Sequence, residues 1–147
     1  MARPWPPLPR SGLDLAGRNA CRWLEALALL HVVGGLALPF VVLYGNALDV
    51  WLPAPGDATA SARFWVAAFG PTLASWGLLA WFLVRRGLRE GRRWACDALI
   101  YAVLTWLPLD LALCLNFGFT PGLVADLVAA LAMLPPLLWL RPRLTAH

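Results

Sequence analysis

Three side chains able to exchange protons stand inside otherwise apolar stretches of this chain: His31, Asp110 and Asp126. The two aspartates belong to one segment, WLPLDLALCLNFGFTPGLVAD (residues 106–126), and flank an uncharged turn. A carboxylate at the centre of a lipid-spanning helix costs about 2.5–3.5 kcal/mol, and less off-centre. An acid in such a place is therefore held protonated, bathed by a water-filled cavity or matched to a partner. Proton relay and binding of a cationic solute are the chemistries this placement suits. Arg63 is the base expected at the same level, paired with Asp110 or Asp126. A second polar group is expected around His31. Thr72, Ser75 and Trp76 share a helix face at i, i+3, i+4 and could line a pocket with it. The competing expectation is that Thr72 and Ser75 bond to backbone carbonyls and absorb the defect made by Pro71.

These residues need long helices to hold them. Four apolar runs, about 23–43, 64–84, 94–115 and 121–140, each have the ~20 residues that cross a hydrocarbon core. They lack the alternation of a β-barrel strand. The sequence thus predicts an all-α, integral membrane four-helix bundle. Residues 1–19 are expected to form a Pro/Arg-rich tail, 20–143 one membrane domain and 144–147 a short C-terminal tail. The first run is too long for a signal peptide h-region and is expected to be retained. All twelve basic residues are arginine. Arg3, Arg10, Arg18 and Arg22 precede or open the first run, five fill RRGLREGRR between the second and third, and Arg141 and Arg143 close the chain. A four-span path puts all of these on one side and leaves Arg63 alone on the other. The positive-inside rule then sets both termini in the cytoplasm of a bacterial-type inner membrane. Trp23, Trp65, Trp94 and Trp139 stand at run ends, where indoles anchor at headgroups.

With a rise of ~1.5 Å per residue, Asp110 lies roughly 8 Å and Asp126 about 7 Å outward of the midplane. His31 falls roughly 5 Å inward of it. The acids differ in how readily packing explains them. Glu25 and Asp97 sit near arginines and in first helical turns, where a carboxylate suits the helix dipole. Asp126 follows Pro121 by little more than a turn and shares a face with Gly122, Ala129, Ala130 and Met133. Asp110 sits towards the negative end of its helix, with Pro108 freeing a carbonyl nearby. His31 heads a stripe with Gly34, Gly35 and Leu38, which should turn it towards another helix. Gly70, Ala74 and Gly77 form a second small-residue face.

Hydrophobic residues make up 61% of the chain and charged ones 14%, against roughly 25% charged in soluble domains. Lipid is therefore the expected solvent. The net charge of +4 reflects topology, and no basic and aromatic surface remains for nucleic acid. Cys21, Cys96 and Cys114 form no CxxC motif and read as packing residues. Only His147 accompanies His31, so neither a metal nor any cofactor is expected.

Hydropathy alone assigns no family. The leading expectation is an accessory or structural subunit, docked on a membrane-protein partner or a second copy within the bilayer. A small proton-coupled transporter or ligand-binding bundle using His31, Asp110 and Asp126 is the alternative. A lipid-modifying membrane enzyme ranks last, since no nucleophile–base pair can be assembled.

Overall fold

The computed structural model describes the backbone of residues 13–45 and 57–144, and the side chains of 13–45 and 61–144. The tail up to residue 12 and the terminal His147 lie outside the described residues. All regular structure among the described residues is helical: α1 (Leu15–Tyr44), α2 (Asp57–Phe82), α3 (Arg93–Asn116) and α4 (Thr120–Leu140). A π-helical turn (Leu83–Gly87) and a 3-10 turn (Leu88–Glu90) link α2 to α3, and Arg141–Arg143 forms a 3-10 turn after α4. Four helical stretches are long and apolar enough to cross a membrane.

The bounds of α3 and α4 lie within a residue of the apolar runs. α1 starts well before Trp23, in residues read from sequence as tail. Asp14 explains this as an N-cap. Its carboxylate accepts the Gly17 N–H at 2.8 Å and its carbonyl accepts the Arg18 N–H at 3.0 Å. Leu13, Gly17, Cys21 and Leu24 are then buried along one face. α2 likewise starts at Asp57 in the Ala-rich DATASA, which suits a helix though it is too polar to count as a span.

The chain divides into two compact units, Ala26–Trp81 and Met1–Glu25 with Phe82–His147. The first is a hairpin of α1 and α2 whose seam is made of small residues. Ala28, Gly35 and Val42 are buried on α1, and Gly70, Ala74, Gly77 and Ala80 on α2. A methyl built on Gly77 would lie 2.8 Å from both Ala28 O and His31 Cβ, and one on Gly70 would lie 2.5 Å from Gly35 O. The two backbones touch, as only glycine permits. Pro39 has no N–H to offer Gly35 O, and the Gly70 Cα–H points at that carbonyl instead. The stripe expected through His31, Gly34, Gly35 and Leu38 splits here. Gly35 enters the seam, whereas Gly34 is exposed with open space around it.

In the other unit, α3 buries Ala95, Cys96, Leu99, Ile100 and Val103 against Ala130, Met133, Leu137 and Leu140 of α4. These steps of three and four residues form a narrow seam. Val84 and Leu88 of the connecting turns, with Cys21 and Leu24 of α1, complete the core. Gly91 ends the 3-10 turn at φ 79°, a left-handed conformation that glycine adopts freely.

The two adjacent glycines of α1 provide a test. Gly35→Ala should destabilise the hairpin by about 1–3 kcal/mol through overpacking. Gly34→Ala should be neutral or stabilise by up to about 1 kcal/mol through helix propensity. Unfolding followed by circular dichroism in mixed detergent–SDS micelles measures both.

Candidate functional site

The turn after α3 sets the geometry at one end of the α3–α4 pair. The Phe119 N–H reaches Cys114 O at 2.8 Å and the Gly118 N–H reaches Leu115 O at 3.3 Å, with Gly118 at φ 65°. This is a Schellman closure, with glycine at the left-handed position. It reverses the chain into Thr120, with Pro121 in the first turn of α4.

The closure lays α4 back along α3 so that the Cys114 thiol donates to Asp126 Oδ2 at 3.6 Å. Gly122 makes room for it: a Cβ there would stand 2.8 Å from Cys114 Sγ and 2.5 Å from the Phe119 ring. Asp110 lies one turn before Cys114, within electrostatic reach of both the thiol and Asp126. The structure therefore gathers Asp110, Cys114 and Asp126 at the turn end of the hairpin, all three partly buried. Cys114 was read from sequence as packing alone. Its i+4 spacing from Asp110 is visible there, but its place opposite Gly122 depends on the turn.

His31 is held within its own hairpin. Its Nδ1 lies 2.7 Å from Leu27 O, a contact in which the ring N–H donates to the carbonyl one turn earlier. The ring packs against Trp76 with centroids 5.3 Å apart, a tilted pair of the kind worth about 0.5–1.5 kcal/mol. Ser75 bonds back to Pro71 O at 2.8 Å, and Thr72 is exposed. Of the polar pocket expected here, the structure joins only His31 and Trp76. Arg63 donates to Val42 O at 3.2 Å, meeting a carbonyl of the last turn of α1. It belongs to the hairpin unit, and Asp110 and Asp126 to the other.

Glu25 and Asp97 each find an arginine from an element distant in sequence. Glu25 Oε2 accepts from Arg89 at 2.6 Å, while Glu25 Oε1 is buried with no donor among the described residues. Asp97 Oδ1 accepts from Arg141 Nε at 2.6 Å, and Arg93 Nε stands 3.8 Å from Oδ2. The Cys96 thiol donates to Leu137 O at 3.2 Å. A further tie has a backbone cause. Pro136 cannot donate to Ala132 O, and the Trp23 indole N–H takes that place at 2.9 Å. The run-end position of Trp23 predicts only a place at the headgroups, and the bond to α4 depends on Pro136.

Among the described residues no group of three or more His, Cys, Asp or Glu side chains is placed to hold a metal ion. Comparison with protein-family models, curated proteins and solved structures finds no match for this chain.

The turn-end cluster separates packing from hydrogen bonding. Gly122→Val should cost about 1–3 kcal/mol by forcing Cys114 and Phe119 away. Cys114→Ala, which removes only the thiol, should cost about 0.5–1.5 kcal/mol. Both are read by the same micellar unfolding titration.

Proposed function

We propose that this is an integral protein of a bacterial-type inner membrane, with four spans and both termini in the cytoplasm. It serves as an accessory or structural subunit docked on partner membrane helices. Only 17–22% of the most apolar window of each span is buried within the chain. Large apolar side chains such as Leu30, Phe40, Trp65, Leu104 and Leu131 face outward. Lipid tails or other helices suit such a surface, and water does not. Arg85, Arg86, Arg89, Arg92 and Arg93 lie between α2 and the first turn of α3, and Arg141 and Arg143 follow α4. Asp97 of α3 pairs with Arg141, so the α3–α4 pair carries its arginines at one end, the pattern that the proposed topology needs.

One observation carries the structural reading: polar side chains of the spans bond to backbone carbonyls, within a helix or across to another. His31, Ser75 and Thr105 each bond to the carbonyl one turn earlier, and Arg63, Trp23 and Cys96 tie to carbonyls of other helices. These are uses of polarity that build a scaffold.

The Asp110–Cys114–Asp126 cluster favours a second reading, a small proton-coupled or cation-binding bundle. Proton transfer there would pass between the two carboxyl groups.

Epitope-tagged chain should remain in the pellet after alkaline carbonate extraction and should co-purify with a membrane partner in mild detergent. A fluorescent protein fused after residue 144 should fluoresce, and alkaline phosphatase fused after residue 53 should be active. Under the structural reading Asp110→Asn keeps the partner and the associated phenotype. If Asp110→Asn abolishes the phenotype with accumulation and partner intact, the transport reading takes its place.

A further inference from the structure

We propose that the open groove between α3 and α4 at their arginine-rich ends binds one anionic phospholipid. Its phosphate rests on Arg93 and Arg141, and an acyl chain lies along Ile100 and Leu138. The inference rests on the membrane-spanning reading above. The groove has a volume of about 240 Å³ and is lined by Asp97, Ile100, Tyr101, Leu138 and Arg141. That is less than the roughly 300–1,000 Å³ of a typical small-molecule pocket. An open trough of this size suits a single chain lying against the protein.

Charge complementarity selects the headgroup. Asp97 engages both guanidinium groups through their Nε atoms, Arg141 at 2.6 Å and Arg93 at 3.8 Å. The terminal nitrogens are left for another acceptor, and the two arginine side chains are 41% and 38% exposed. One carboxylate against two guanidiniums leaves surplus positive charge at the mouth. Arginine meets phosphate with paired hydrogen bonds, so this surplus favours a phosphodiester. A choline headgroup would bring a second cation to the same place and is disfavoured. Tyr101, one turn along α3 from Asp97, sets a ring and hydroxyl beside the chain, as aromatic residues do at the headgroup level. Asp97 acts as a positioning residue that fixes the two arginines.

The test is native mass spectrometry of the full chain in detergent, titrated with phosphatidylglycerol, phosphatidylcholine or glycerol 3-phosphate. Phosphatidylglycerol should give a saturable first adduct that phosphatidylcholine does not match and free glycerol 3-phosphate does not displace. Arg141→Gln should weaken that adduct about 5-fold, and Arg93→Gln with Arg141→Gln about 25-fold. Leu138→Trp fills the trough without changing charge and should also lose the adduct. It keeps the test open if the arginine variants unfold. Arg86→Gln, an exposed arginine outside the lining, should lose less than Arg141→Gln. Equal losses for Arg86→Gln and Arg141→Gln would mean diffuse attraction and overturn the site. Displacement by glycerol 3-phosphate would overturn the lipid as ligand. If carbonate strips the chain from membranes, the membrane-spanning reading fails. If the chain stays embedded yet binds phosphatidylcholine equally well, the lipid site alone fails.

Discussion

A carbonyl that has lost its helical donor must find another wherever water is absent, and an unmet polar group there costs several kcal/mol. This chain creates the problem repeatedly, with Pro39, Pro71, Pro108, Pro135 and Pro136 all inside helices. Two of the answers organise the packing. Ala132 O, freed by Pro136, takes the Trp23 indole and so ties the start of α1 to α4. Gly35 O, freed by Pro39, is met by Gly70 at the point where α1 and α2 run closest. The small-residue seam and the proline are therefore one device. The proline opens the carbonyl and the glycine lets a neighbour reach it.

The same constraint decides how much was legible in the sequence. Run lengths depend only on helix rise and apolar thickness, so α3 and α4 could be bounded closely. The early starts of α1 and α2 use helix capping and alanine propensity in polar residues, which hydropathy does not record. The small face of Gly70, Ala74 and Gly77 was visible because all three share one stripe, and all three are buried. Choosing between Gly34 and Gly35 was harder. Neighbouring residues on a helix point about 100° apart, and only the phase set by Ala28, His31 and Gly77 resolves them. Cys114 could not be placed for a different reason. Its position opposite Gly122 follows from a turn closed through Gly118, and a one-residue change in that turn would rotate the pairing.

The acids divide by physical setting, and proximity in sequence was a poor guide to their partners. Glu25 lies beside Arg22 in the chain yet binds Arg89, and Asp97 makes its shortest ion pair with Arg141 rather than Arg93. Pairs of this kind near exposed arginines are screened and contribute modestly to stability. Asp126 accepts from the Cys114 thiol rather than from one of these arginines.

Apolar seams pack closely but specify register poorly, because one small or aliphatic side chain resembles the next as the helices slide. The polar contacts supply the missing information. α3 and α4 are pinned at both ends, by Asp97–Arg141 and Cys96–Leu137 O at one and by Cys114–Asp126 at the other. A slip of one turn would break all three. The α1–α2 hairpin has its own pair, the His31–Trp76 ring contact and Arg63 on Val42 O. Each tie is individually weak, and several are bonds to backbone carbonyls that no conservative replacement of side-chain charge would reproduce. Polarity placed this way selects one alignment among many apolar ones.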